Sequence, residues 1–278
     1  MFKIISKKIH SNSVKEFEIL APEIAKRALP GQFVILRPDA RSERIPLTIA
    51  KKDTLNGTIS IIFQEVGKTT SFLGTLNEGD SVLDLLGPLG HATEIKNYGT
   101  VIAIGGGVGV AEVLPVARAF RDAGNRVIGI IGARTKELLI LEDLMRTACS
   151  ELFVTTDDGS HGIKGFVSEI LKDLISKKIS IDLVYAIGPV PMMRNISEIT
   201  KKSGIKTLVS LNPIMVDGTG MCGACRTSVG EKTYFACVDG PEFDGHKVNW
   251  DELTTRLTLF KREEQVCYEK FIKSVQEK

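Results

Sequence analysis

The sequence lacks a bias of charge. Its 36 basic and 34 acidic residues leave a net charge of +2 over 278 residues, which gives no reason to expect nucleic acid as a partner. Long apolar runs are missing too. The most apolar windows, 101–104 and 127–131, are of strand length and break into glycines, far short of the roughly 20 residues that span a bilayer. No membrane partner is expected. The N-terminus, MFKIISKKIHSNSV, puts lysines and a histidine where a secretory signal needs an uninterrupted apolar stretch. A cytoplasmic location follows. Internal repeats and low-complexity tracts are absent as well. So is an even set of cysteines: there are five, and three of them fall within 222–237. That crowding is a poor basis for a disulfide framework and a better one for metal ligation.

What is present is an ordinary folded composition, 43% hydrophobic and 25% charged, on a chain long enough for two or three compact modules. Up to about residue 97, short β-rich runs at 15–20, 32–37, 57–64 and 81–85 alternate with turn signals, the pattern of an antiparallel barrel. From Gly99 the texture changes. Strands at 100–104, 126–131, 151–155 and 183–187 alternate with helices at 111–123, 136–149 and 166–176, which predicts a parallel sheet with helices on both faces. After Leu211 a stretch rich in glycine and cysteine runs to about Gly245. The remainder, from Trp250 to Lys278, reads as helix, with Leu253, Leu257, Phe260, Val266 and Phe271 as its apolar positions.

Three stretches carry chemistry. The first strand of the second region runs into Gly105, Gly106, Gly107, Val108 and Gly109 and then into a helix. Glycines let backbone amides approach a pyrophosphate, and the helix dipole favours its charge. A dinucleotide site and a tight structural turn both fit; the G-x-G-x-x-G template fails at Val110. Beyond the third strand come Asp157 and Asp158. Bordering an adenosine ribose, they would accept its hydroxyls and repel a 2′-phosphate; they also suit a solvated turn. The third stretch, VDGTGMCGACRTSVGEKTYFACVDG, holds Asp217, Cys222, Cys225 and Cys237. Three thiolates are one short of the four ligands of a 2Fe-2S cluster. Asp217 stands five residues ahead of the Cys-x2-Cys pair, with four residues between, where a plant-type ferredoxin places its first cysteine. Zinc held by three cysteines and a carboxylate or histidine such as His246 would give a non-redox nucleotide-binding module, although zinc loops seldom need so many glycines. Asp239 is a further oxygen donor. Cys149 and Cys267 lie outside the motif and read as ordinary thiols. In the first region, Arg44 can neutralise a phosphate, and Thr69 or Thr70 can cap a short helix facing one.

Together these stretches resemble the ferredoxin-NADP reductase superfamily over the whole chain, and more narrowly its branch of iron-sulfur electron-transfer subunits. That branch includes the electron-transfer subunit of B-type dihydroorotate dehydrogenase and the small subunit of NADH-dependent reduced ferredoxin:NADP oxidoreductase. The resemblance implies an FAD-binding β-barrel at 1–97, an NAD-binding α/β domain at 98–211, a 2Fe-2S module at 212–248 and a helical tail at 249–278. Arg44, Pro46, Leu47 and Thr48 occupy the ground of the flavin motif R-x-Y-[ST], with Leu47 in place of its tyrosine. Gly67, Thr69 and Thr70 resemble the motif that holds the FAD pyrophosphate. Gly105–Gly109 resembles the nucleotide loop, and Gly188 with Pro189 resembles the C-G-P motif beside the nicotinamide, its cysteine replaced by Ile187. The acidic pair falls where NADP-binding relatives carry Ser and Arg, which implies NAD(H).

Asp217 helps choose within the branch. Dihydroorotate dehydrogenase partners typically carry four cysteines here, whereas one aspartate with three cysteines is similar to the ferredoxin:NADP oxidoreductase subunit. That likeness implies a heterodimer with a larger subunit carrying another FAD and 4Fe-4S clusters, ferredoxin reached through the complex, and electron bifurcation. The chain would pass electrons between NAD(H), FAD and the 2Fe-2S cluster. Hydride transfer requires no side-chain acid or base, so no catalytic residue is assigned.

Overall fold

A computed structural model describes residues 1–276; the last two positions of the expected tail, 277 and 278, lie outside the described residues. The first seven strands form one antiparallel sheet: β1 (Phe2–Ile9), β2 (Val14–Leu20), β3 (Phe33–Arg37), β4 (Ile45–Asp53), β5 (Thr58–Gln64), β6 (Ser81–Val82) and β7 (Asp84–Leu89). Their order is β6-β1-β2-β5-β4-β3-β7. The two edge strands follow one another in the chain, so the sheet curls almost closed. Phe17, Ile19, Leu36, Ile59, Ile61 and Phe63 fill it, each from an alternate position as period-2 strands demand. Two short helices, α1 (Pro22–Arg27) and α2 (Lys68–Thr75), close its ends. The pattern of the sequence missed β1 and β4, whose lysines and proline break the apolar alternation.

The second region alternates as expected: β8 (Thr100–Gly106), α3 (Val110–Asp122), β9 (Arg126–Ala133), α4 (Glu142–Ala148), β10 (Glu151–Thr156), β11 (Ile163–Lys164), α5 (Val167–Ser176), β12 (Leu183–Ile187), α6 (Val190–Lys202) and β13 (Thr207–Ser210). The sheet order is β11-β10-β9-β8-β12-β13, all parallel. Its central strands are apolar throughout because both faces are covered. On one face α3 and α4 bury Val113, Val116, Phe120 and Met145; on the other α5 and α6 bury Leu171, Leu174, Met193 and Ile196. The helix expected at 136–149 is broken. A 3-10 turn at Lys136–Leu138 precedes α4, and the break lets Ile140 reach the core at 2% exposure.

The cysteine-rich stretch contributes a hairpin, β14 (Arg226–Val229) and β15 (Lys232–Phe235), a single turn α7 (Ala236–Asp239), and β16 (Glu242–Asp244). β16 pairs antiparallel with β13 and becomes the seventh strand of the second sheet. The module is therefore spliced into the sheet rather than tethered to it. The tail forms two helices instead of one, α8 (Trp250–Arg256) and α9 (Lys261–Gln276), separated by a turn in which Phe260 takes φ +67°. Among the described residues, no helix is long and apolar enough to cross a membrane.

Candidate functional site

β8 and β12 are neighbours, but the chain goes on from β8 to β9 on one side and from β12 to β13 on the other. Such a switch point opens a crevice at the carboxyl ends of the strands. A cleft of about 750 Å³ lies there, walled by Gly106, Gly107, Val108 and Gly109 after β8 and by Gly188 and Pro189 after β12. Val14 and Gln64 of the barrel close its far side. Gly105 does not reach the cleft; it is buried within β8, paired with β9 and β12. Gly109 is a packing requirement. A Cβ there would stand 2.7 Å from the Ile187 carbonyl oxygen, so only glycine lets α3 start this close to β12.

The structure separates the acidic pair. Asp157 is exposed and lines the cleft. Asp158 instead accepts hydrogen bonds from the Ser160 amide (2.9 Å) and hydroxyl (2.6 Å), which hold its carboxyl below the usual range. Arg134, at the end of β9, shares the wall with Asp157 and can meet an anion.

Glu112 is a residue that the sequence pattern did not single out. It lies in the first turn of α3, lines the cleft and, where α3 packs on β4, has the Thr48 hydroxyl as a polar neighbour. Burial pushes its carboxyl up to about 7, against the lowering effect of Thr48. The packing of α3 on β4 joins the second sheet's helix layer to the barrel.

On that strand the expected flavin set divides by strand period. Ile45 and Leu47 pack against the barrel core, so Pro46 and Thr48 face the other way. Leu47 therefore does not share a surface with Thr48, and Arg44 is exposed just ahead of the strand. At α2 the hydroxyl of Thr70 accepts from the amides of Val66 (3.0 Å) and Gly67 (3.1 Å), and Thr69 Oγ1 accepts from the Glu43 amide at 3.3 Å. The Ser71 amide makes a helical bond to Gly67. The amides of Lys68, Thr69 and Thr70 precede it and have no acceptor within the helix. With the Lys68 ammonium, this donor set suits a phosphate.

In the cysteine loop, Cys225 and Cys237 are buried with their sulfurs 3.3 Å apart. The Cys237 amide approaches Cys225 Sγ at 3.4 Å. Gly220 takes φ +83°, which a side chain would resist. Cys222 is exposed. Asp217 accepts from the amides of Thr219 and Cys222, both at 2.8 Å, and these bonds hold its carboxyl below the ordinary range. Among the described residues, no three His, Cys, Asp or Glu side chains stand close enough as placed to hold a metal ion. The other oxygen and nitrogen donors are engaged: Asp239 accepts from the Phe235 amide at 2.7 Å, and His246 is hydrogen-bonded to Thr200 at 3.0 Å. Burial and Cys225 push the Cys237 thiol up to about 12, so the paired thiolates require a compensating cation. A thiolate pair fed by a backbone amide, with a third thiol and a carboxylate on the same loop, has the donor chemistry of an iron-sulfur site. Cys149 is buried on the far side of the sheet and Cys267 is exposed on α9.

The loop also touches the barrel. A Cβ on Gly218 would lie 2.7 Å from Leu89 of β7 and 2.8 Å from Ile35 of β3. Phe33 and Ile35 of β3 belong to the same apolar cluster as Cys225 and Cys237, and Phe33 pairs with Thr48.

A barrel, a switch-point cleft and a cysteine loop in one chain define a flavin reductase-type electron-transfer protein. The profile of the iron-sulfur cluster binding domain of dihydroorotate dehydrogenase B matches residues 212–249. The electron transfer subunit homolog of dihydroorotate dehydrogenase B (NAD(+)) from Thermotoga maritima is 45% identical over 99% of this chain and 97% of its own. The corresponding electron transfer subunit from Streptococcus pneumoniae is 35% identical over 81% of this chain and 89% of its own. In a solved structure of the NADH-dependent reduced ferredoxin-NADP oxidoreductase, described for flavin-based electron bifurcation, one chain superposes with a TM-score of 0.93. That chain is 44% identical, with 98% of both chains covered. The chain belongs to the family of dihydroorotate dehydrogenase B electron-transfer subunits and their homologues.

Proposed function

We propose that this chain is the small, cytoplasmic subunit of an NADH-dependent reduced ferredoxin:NADP oxidoreductase, passing electrons between NAD(H), FAD and a 2Fe-2S cluster. FAD, when bound, supplies the exchange between the two-electron chemistry of NAD(H) and the one-electron chemistry of the cluster. The carrying observation is the apolar cluster shared by Cys225, Cys237, Phe33 and Ile35, because β3 also pairs with the strand that bears Thr48. Together with the close approach of Gly218 to Leu89 and Ile35, it supports a cysteine loop packed on the barrel beside the strand assigned to the flavin.

Each residue then has a task. Gly106–Gly109 lead to the N-terminus of α3 for the dinucleotide phosphates, Gly188 and Pro189 border the nicotinamide, and Asp157 accepts ribose hydroxyls. Pro46 and Thr48 face the flavin ring, Gly67, Thr69 and Thr70 take its phosphates, and Arg44 adds charge at the rim. Asp217, Cys222, Cys225 and Cys237 hold the cluster, which requires Cys222 to turn in from its exposed position. The partner is a larger subunit carrying a second FAD and 4Fe-4S clusters, through which ferredoxin is served. Iron, sulfide and flavin content of the purified chain test the cofactor set: one FAD and one 2Fe-2S are expected, and a colourless zinc protein would refute it. Asp217→Ala should lower the iron content or change the EPR g-values; unchanged iron, g-values and midpoint potential would assign the fourth ligand elsewhere.

A second reading, electron-transfer subunit of a dihydroorotate dehydrogenase, is favoured by the identity to the Thermotoga and Streptococcus proteins. Identification of the subunit that co-purifies separates the two.

A further inference from the structure

The chain ends by returning to its first domain. After α8 it turns at Phe260, and α9 runs back beside α2, where Phe271 meets Phe72 edge-on with ring centroids 6.5 Å apart. Little else holds α9 in place. Its residues are exposed almost throughout, including Val266 at 42%, and only Tyr268 and the Phe271 end are partly buried. Such a helix gains little from apolar burial, yet it stands away from the barrel across a second cavity of about 630 Å³. One wall of that cavity is the 66–70 turn, with the amides of Lys68, Thr69 and Thr70 that lack helical acceptors. The other wall is α9, contributing Lys261, Arg262, Gln265 and Tyr268.

The charges around this space favour an anion. Among the described residues, Lys68, Lys261 and Arg262 form no ion pair. The two acids on the walls, Glu43 and Glu264, repel each other; burial first and Glu43 second raise the Glu264 carboxyl above its usual range, with Lys261 opposing. A dipole-bearing helix start with three cations and a half-buried phenol matches a diphosphate joined to an aromatic base.

We propose that α9 is part of the cofactor site: Lys261 and Arg262 engage the diphosphate of FAD, and Tyr268 packs against its adenine. The cofactor then supplies the contact area that α9 lacks, and docking of α9 is coupled to FAD binding. The proposal rests on the flavin reading above.

The test uses the full chain, stripped of flavin and titrated with FAD, with trypsin cleavage within α9 followed in parallel. Lys261→Glu together with Arg262→Glu should raise the FAD Kd about tenfold or more, because two charge-assisted contacts are reversed. Arg262→Lys should stay within about threefold, since the charge is kept. Iron content and NADH affinity should not change in either variant. FAD should protect α9 of the unsubstituted chain from trypsin and protect the doubly reversed variant far less. An unchanged Kd in the double variant, with cleavage of α9 indifferent to FAD, would overturn the proposal. Protection of α9 by the larger subunit alone would overturn it too, making the helix a clasp for the partner. Failure of the unsubstituted chain to bind FAD would instead refute the flavin reading, and this proposal with it.

Discussion

In the cleft, the groups proposed to meet a dinucleotide are largely backbone, held at the ends of buried strands, whereas those proposed for the cluster are side chains on glycine-rich backbone with Cys222 exposed. The cleft's shape follows from the sheet, so it exists without a ligand. The ligand set proposed for the loop is assembled only as far as the Cys225–Cys237 pair, and on that reading binding of metal completes it. Substitutions should therefore act differently in the two regions: side-chain chemistry decides the loop, and backbone space decides the cleft.

The largest effect is expected in the loop. Cys225→Ser or Cys237→Ser should abolish iron and sulfide binding while FAD content and NADH affinity remain, as metal analysis and absorbance would report. Loss of NADH affinity as well would show that the two regions are not separable. In the cleft, the strongest substitution adds a single carbon. Gly109→Ala drives a Cβ into the Ile187 carbonyl, and overpacking of this kind costs about 1–3 kcal/mol. Thermal unfolding should show the loss together with weaker NADH binding; an unchanged melting temperature would mean that α3 shifts freely.

Glu112 gives a pH-dependent contrast. Its carboxyl is raised from 4.5 to about 7, so between those values the folded chain keeps a proton that the unfolded chain has released. Stability from this group is present below the lower value and is lost as pH rises through the upper one. Glu112→Gln should therefore stabilise the chain progressively across that window, by at most about 1.4 kcal/mol for each pH unit crossed. Denaturant unfolding at pH 5 and pH 8 checks the sign. A variant equally stable relative to its parent at both values would remove Glu112 from the account. The smallest effect belongs to Asp157, which is exposed and therefore screened. Asp157→Ser should narrow the preference for NADH over NADPH by about 1 kcal/mol or less, read from kcat/KM. A parent chain that already prefers NADPH would contradict the assignment.

The same contrast explains what the sequence made legible. The β8–loop–α3 unit could be read because a buried strand, a glycine run and an amphipathic helix are each local patterns. The cysteine loop could be read because ligand spacing is local as well. Glu112 could not: an acid in the first turn of a helix reads as a dipole partner, and only tertiary packing brings Thr48 to it. Nor could β16, three residues long, whose meaning depends on β13 being its neighbour. The proline and lysines of β4 hide its facing: the motif sets Leu47 beside Thr48, whereas strand period puts Leu47 on the barrel core. The docking of α9 on α2 joins residues about 200 positions apart, and no periodicity reports that.

The central claim is that this one chain carries electrons from NADH to the cysteine loop by way of FAD. Anaerobic titration of the purified chain with NADH, following flavin absorbance and the EPR signal of the cluster together, tests it most directly. The account predicts that NADH bleaches the flavin and brings up a reduced 2Fe-2S signal in the same molecules, and that Cys225→Ser keeps the first change and loses the second. Bleaching of the flavin with a cluster that low-potential chemical reductants reduce and NADH never does, at any pH, would contradict it.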